Sequence, residues 1–126
     1  MPRFVVHEHH ARNLHWDLRL ELDGVLKSWA VPKEPPLALG VRRLAIQVDD
    51  HDLDYIGFEG TIGDGSYGAG SVRIWDAGMF SLVDRKPYKL IFDCQGQKLT
   101  GPYVLMKFER AGKKEWLLFK KRPAGK

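Results

Sequence analysis

Short segments in which apolar and polar residues alternate, broken by Gly, Pro and Asp, run through most of this chain. A period of two marks a half-buried β-strand, because successive side chains point to opposite faces. The clearest segment is Leu14 to Leu22, followed by Asp23-Gly24, a favoured two-residue hairpin turn, with Val25 to Val31 as its partner strand. Pro32, Pro35 and Pro36 then break the ladder and force a loop, with room for a helical turn near Pro36 to Arg42. Further strands are predicted over Arg43 to Val48, Ser71 to Trp75, Lys89 to Cys94, Tyr103 to Glu109 and Glu115 to Lys121. Gln95-Gly96 and Ala111-Gly112 supply two of the turns between them. Residues 57 to 70 hold six glycines and read as a long loop with special backbone geometry. About seven short strands at this spacing predict a mainly β fold, a small antiparallel barrel or a sandwich.

Composition narrows the class. At 126 residues the chain has the size of one domain. With 44% hydrophobic and 29% charged residues it is too apolar to be a disordered segment. No run approaches the roughly 20 apolar residues of a membrane span, and Met1 to His7 lacks an apolar signal core. A cytoplasmic protein with no membrane partner is therefore expected. Cys94 is the single cysteine, so no disulfide within the chain and no cysteine-based zinc site can form. It lies in an apolar strand and reads as a core residue rather than a nucleophile. The formal charge is +4, which permits a polyanionic partner without demonstrating one.

The first strand carries the candidate chemistry. His15, Asp17, Arg19 and Glu21 share one face, and Trp16, Leu18, Leu20 and Leu22 share the other, which must be the core side. A polar strand face is ordinarily just a solvated surface. Here an imidazole, a carboxylate, a guanidinium and a carboxylate follow in series, an unusual choice for solubility alone. His15 and Asp17 lie roughly 6.6 Å apart along the strand, close enough for both side chains to meet one ion. Upstream, His7, His9 and His10 sit in a segment able to fold over the same face. Two histidines and a carboxylate make a three-ligand site with open positions, suited to a divalent transition metal. Spacing alone does not choose among His7, His9 and His10. Arg19, next on that face, is placed to grip a phosphate beside the ion.

A second cluster, Asp49-Asp50-His51-Asp52-Leu53-Asp54-Tyr55, is acidic with one His and one Tyr. Neighbouring carboxylates are expected to raise the His51 pKa and favour a cationic phosphate ligand or general acid. Gly63-Asp64-Gly65-Ser66-Tyr67-Gly68 matches G-x-G-x-x-G in form. It precedes an alternating strand, Ser71 to Trp75, whereas the dinucleotide fingerprint opens a helix, so that reading is rejected. Ser66 lacks the G-x-S-x-G context of a nucleophile elbow. Lys27, Lys33, Arg42 and Arg43, with the basic end of the last strand and Lys126, can line a nucleic-acid groove or simply a soluble surface.

These residues together resemble the 3′-phosphoesterase domain of the bacterial DNA ligase D end-joining proteins and its free-standing relatives. The resemblance rests on Phe4-Val5-Val6 to His9, on Leu14-His15-Trp16-Asp17-Leu18-Arg19-Leu20-Glu21-Leu22-Asp23-Gly24 running on to Val31-Pro32-Lys33, and on Arg43-Leu44-Ala45. It continues through Asp50-His51, Leu53-Asp54-Tyr55, Phe58-Glu59-Gly60, Tyr67-Gly68-Ala69-Gly70, Trp75-Asp76 and Trp116 to Arg122, nearly the whole chain. It implies that residues 1–126 form one closed antiparallel β-barrel with a crescent-shaped groove. It further implies a manganese-dependent enzyme acting on the 3′ ends of a DNA or RNA–DNA primer paired with a template. Such enzymes remove a 3′-terminal ribonucleoside to leave a 3′-phosphate, then remove the phosphate to expose a 3′-OH. Cobalt or zinc are alternative ions.

The resemblance assigns the metal to His9, His15 and Asp17, the phosphate to Arg19, His51 and Tyr55, and supporting positions to Glu21, Lys33 and Arg43. Relatives within large ligases carry residues before the first strand that the phosphomonoesterase step needs. Here the motif follows Met1 closely, so the phosphodiesterase step is the more direct expectation. Glu34-Pro35, Gly63-Asp64 and Asp49 depart from the family's usual Gly-Pro, Pro-Glu and Glu, around the groove rather than at the ligands. No ligase or polymerase module accompanies the motif, so a ligase and a polymerase are expected to act in trans. The rival readings are a nucleic-acid-binding barrel with a structural metal and no catalysis, and a non-haem iron oxygenase with the same ligand set.

Overall fold

The computed structural model describes residues 1–63, 70–108 and 114–123. Nine strands occur among them: β1 (Arg3–His10), β2 (Leu14–Leu22), β3 (Val25–Val31), β4 (Arg42–His51), β5 (Gly60–Ile62), β6 (Gly70–Lys86), β7 (Lys89–Gln95), β8 (Thr100–Lys107) and β9 (Glu115–Lys120). All pairings are antiparallel. The order β1-β2-β3-β4-β9-β8-β7-β6 closes on itself through a β1–β6 pairing, and β5 adds to β6 outside the ring. The expected closed antiparallel barrel is present, and closure leaves those eight strands no free edge.

Period two sorts the residues as expected. Leu18 and Leu20 of β2 are fully buried inside the barrel with Phe4 and Val6 of β1, while Trp16 and Leu22 pack against that core in part. Trp29, Phe92, Tyr103 and Leu118 fill the remaining interior from the other strands. At the β2–β3 turn Asp23 and Gly24 both have positive φ, 57° and 78°, the backbone that the favoured hairpin turn demands.

Several elements differ from the pattern-based reading. The segment upstream of the clear alternation is itself a strand, β1, paired on both sides by β2 and β6. The strand predicted at Ser71 to Trp75 runs on to Lys86, with irregular register opposite Val6/His7 and at Leu82/Asp84. That length lets its first half pair with β1 and its second half with β7. The strand predicted to end at Val48 continues through His51. No helical turn forms at residues 36–42. Pro35 and Pro36 lack N–H donors and hold their predecessors extended, and the Tyr103 hydroxyl ties the loop down by donating to the Pro36 carbonyl at 2.8 Å. Among the described residues the helical element is a 3₁₀ turn at Leu53–Gly57. No helix among the described residues is long and apolar enough to cross a membrane. The Asp64 to Ala69 part of the glycine loop, the Ala111-Gly112 turn, Glu109 and Lys126 lie outside the described residues.

Candidate active site

The polar face of β2 is covered rather than solvated. Asp17 is 5% exposed and Arg19 is 3% exposed. Across the ladder, His9 stands opposite His15, His7 opposite Asp17, Asp17 opposite Ala30, and Arg19 opposite Ser28. The 3₁₀ turn contacts β1 and β3 over this outer face and brings in Tyr55. The acidic stretch thus becomes the end of β4 plus a turn that roofs the site.

Pairing separates the three upstream histidines. His10 turns to Glu8, Nε2 to Oε2 at 2.5 Å, and Arg73 donates to the other Glu8 oxygen at 3.1 Å. His7 goes to Arg19, whose Nε donates to its Nδ1 at 3.1 Å. His9 joins His15 and Asp17, and one donor atom from each lies within 4.8 Å of the others. His9 Nδ1 is 3.7 Å and His15 Nε2 is 3.3 Å from Asp17 Oδ2, and the two imidazole rings are 4.8 Å apart. His15 Nδ1 sits 2.9 Å from the Asn13 carbonyl. A proton donated there turns the Nε2 side toward Asp17, and such a backbone contact orients a metal-binding histidine. Two imidazoles and a carboxylate fit a divalent transition metal.

Electrostatics support that donor set. Burial pushes the Asp17 carboxyl up, but the His15 hydrogen bond and the charge of Arg19 outweigh it, and the net shift is down. Asp17 is therefore an anion. The hydrogen bond to Asp17 is the main cause of a raised His15 pKa, and a metal bound there would compete with a proton for Nε2.

Arg19 lies beside the triad. Its Nη1 donates to Ser28 Oγ at 2.8 Å and its Nη2 to Asp17 Oδ2 at 3.3 Å. Ser28 passes its own proton to the Leu26 carbonyl at 3.0 Å. Nη1 is also 3.2 Å from His51 Nδ1, which in turn is 3.1 Å from the Asp49 carbonyl. One nitrogen cannot both accept from Arg19 and donate to Asp49. Beside a fixed guanidinium, a lone pair on Nδ1 is favoured over an N–H, which leaves the proton on Nε2. The His51 pKa moves down, first through burial and then through Arg19, with the backbone of Asp49 and the nearby carboxylates opposing more weakly. The expectation that the acidic stretch raises it is reversed, because Arg19 and burial act at closer range. Burial likewise raises Tyr55, which stays a neutral phenol. Its ring lies under Arg19 at 5.0 Å, beside His51 at 4.8 Å, and stacked on Phe58 at 4.9 Å.

His9, His15, Asp17, Arg19, His51 and Tyr55 line one cavity of about 520 Å³, with Ala30, Val48 and Ile62 among its apolar walls. The three supporting residues stand apart. Glu21 is bound to Arg3, by its backbone at 2.9 Å and its guanidinium at 3.1 and 3.2 Å. Arg43 donates to the Glu34 carbonyl at 2.8 Å, and Lys33 is exposed. None of them lines this cavity. Sequence reasoning did not single out Ser28 or Phe58 as parts of the site.

A second cavity of about 460 Å³ is lined by Trp29 and Trp116 and by the bases Lys27, Arg85, Lys86 and Lys107. Three of those bases are paired with acids: Lys27 with Asp50, Arg85 with Asp23 and Lys86 with Asp84. It holds no cluster of metal-ligating groups among the described residues. The reactive chemistry sits on the outer face of β1, β2 and β4.

Fold and site together define an eight-stranded closed barrel that can hold a divalent cation and an oxyanion side by side on its outer wall. A family model described as "DNA Ligase D 3'-phosphoesterase domain" matches residues 7–107, and the chain belongs to that family. It is 48% identical over 124 residues to the multifunctional non-homologous end joining protein LigD of Pseudomonas aeruginosa, covering 94% of this chain. To the corresponding DNA repair protein of Mycobacterium tuberculosis it is 47% identical over 108 residues, 82% of this chain. To that of Mycolicibacterium smegmatis it is 41% identical over 126 residues, 91% of this chain. The match spans 15%, 14% and 16% of those relatives' own lengths. Membership in a phosphoesterase family gives hydrolase as the class.

Proposed function

We propose that this chain is a manganese-dependent phosphoesterase that heals the 3′ ends of primer–template DNA, removing a 3′-terminal ribonucleoside and then the 3′-phosphate left behind. The observation that carries this reading is the His9, His15 and Asp17 donor set, within 4.8 Å of one another, abutting the buried Arg19. Manganese held by these three residues supplies Lewis-acid neutralisation of a phosphoryl oxygen, and cobalt or zinc suit the same donors. Arg19 offsets the charge that builds on the phosphoryl oxygens in the transition state, and the neutral Tyr55 hydroxyl donates to the same group. Hydrolysis adds water to phosphorus and breaks the bond to the departing nucleoside's oxygen. The Nε2–H of the neutral His51 donates a hydrogen bond to that oxygen as it departs, and the proton the oxygen gains is the one the attacking water gives up. Glu21, Lys33 and Arg43 support the substrate strand away from the cavity. A ligase and a polymerase, on separate chains or elsewhere in a longer one, use the healed end, within the cytoplasm.

The test is a 5′-labelled DNA primer ending in ribonucleotides, annealed to a longer template and incubated with manganese or with chelator. Metal-dependent shortening to a 3′-phosphate or 3′-OH end is expected, and His15→Ala should abolish it. An intact primer, with protein folded and metal bound, sinks the catalytic reading in favour of a binding module. Full activity in His15→Ala removes that residue from the metal set.

A further inference from the structure

Four hydrogen bonds fix the Arg19 guanidinium among the described residues, and two of their acceptors, His7 and Ser28, have no part in the function proposed above. His7 is 0% exposed, stands opposite Asp17 on the neighbouring strand, and accepts the Arg19 Nε proton on Nδ1 at 3.1 Å. Its ring also meets Tyr55 edge-on at 5.2 Å. We propose that His7 is the positioning residue of the oxyanion site, a neutral acceptor that sets the rotation of the Arg19 guanidinium toward the bound phosphate. The inference rests on Arg19 being the phosphate ligand.

Two features favour this over plain packing. With Nδ1 accepting, the imidazole proton lies on Nε2, a buried atom that makes no well-formed hydrogen bond among the described residues and meets only the Phe58 backbone. An apolar side chain would fill the same space without stranding a donor, so packing alone does not account for a histidine here. The second feature is charge. Asp17 already takes part of the Arg19 charge through Nη2 at 3.3 Å while serving the metal donor set. A second carboxylate at position 7 would cancel what the phosphate must feel, whereas a neutral imidazole orients Arg19 and leaves its charge intact. Ser28 and His51 do the same at Nη1, so the guanidinium is held by three neutral acceptors and one shared anion. Because His7 and Asp17 are cross-strand neighbours, one register sets both the guanidinium and the metal.

The test compares His7→Leu, which cannot accept, with His7→Gln, whose amide oxygen can. Three readouts are taken on the full chain: free manganese by electron paramagnetic resonance, inorganic phosphate affinity by calorimetry, and kcat and KM on the primer–template. His7→Leu is expected to bind manganese as the wild type does, lose phosphate affinity, and drop in kcat on the order of 10- to 100-fold, as losing an orienting partner does elsewhere. His7→Gln should recover most of both losses. In an Arg19→Met background, His7→Leu should add nothing further, since its effect runs through Arg19. Wild-type phosphate affinity and kcat in a folded His7→Leu overturn the proposal. So does a His7→Gln protein that folds and binds metal yet is as impaired as His7→Leu. If His7→Leu does not fold, the His7→Gln values and the Arg19→Met cycle built on it decide the question. Should the wild type not cleave the primer at all, the proposed activity fails while the phosphate titrations still judge His7.

Discussion

Arg19 carries a full positive charge on a side chain that barely meets solvent, and burial lowers its pKa from the ordinary guanidinium value. A charge so placed is tolerated only where each N–H finds an acceptor. Ser28 Oγ is one such acceptor, at 2.8 Å, and its own proton is spoken for by Leu26. Nothing in Val25 to Val31 marks Ser28 as part of a site, because a small polar residue on an alternating strand reads as an outward-facing filler. Its role appears only with the register that sets it opposite Arg19. Ser28→Ala keeps the strand and removes the acceptor, leaving a charged donor buried and unpaired. A loss of about 1–3 kcal/mol in urea unfolding is expected, with a fall in turnover. A variant as stable and active as the wild type would show that Arg19 does not depend on this contact.

The β2–β3 hairpin was legible because its alternation is clean and Asp23-Gly24 supplies the turn chemistry. β1 was not legible as a strand because its outer side is covered as well. His7 lies under the 3₁₀ turn, against Tyr55, and Val5 is as buried as the core-facing Phe4 and Val6, so Phe4 to His7 shows no alternation of apolar and polar residues. The same loss of periodicity hid which histidine joins His15 and Asp17, a choice the resemblance made and spacing did not. The continuation of β6 beyond Trp75 escaped for another reason: irregular register at Trp75 and Val83 shifts the alternation mid-strand. What holds β6 to the turn after β7 is Asp76, buried, whose carboxylate accepts the backbone N–H groups of Gln97, Lys98 and Leu99 at 2.9, 3.0 and 2.8 Å. Gly96 must approach closely there, since a Cβ on it would meet Asp76 Oδ2 at 2.5 Å and Phe4 Cζ at 2.6 Å. Asp76→Ala should therefore cost roughly 3 kcal/mol, and Asp76→Asn less, because an amide oxygen still accepts. Equal losses for the two in chemical denaturation would mean the carboxylate is not acting as the acceptor of that turn.

The barrel's core and its candidate chemistry occupy opposite sides of the same strands, and this separation decides how metal and fold are coupled. Leu18 and Leu20 close the interior while Asp17 and Arg19, between and beside them, face the outer site. His9 and His15 are set opposite each other by a ladder that runs from Phe4 to His10. Eight strands and a buried core carry that ladder, so the fold is expected to form without the ion, unlike small zinc domains that are unfolded without metal. A metal that binds only the folded state then adds stability by mass action, about 2.7 kcal/mol at 100 times its dissociation constant. For a domain of this size that is a rise of roughly 10 °C in Tm. Chelator-treated protein is therefore expected to keep its β-sheet circular dichroism and melt cooperatively, and manganese to raise the midpoint. His15→Ala should fold and melt like the chelated wild type but respond little to manganese. Collapse of the fold on chelation would make the ion structural, and an undiminished response in His15→Ala would show that it is held by some other set of residues.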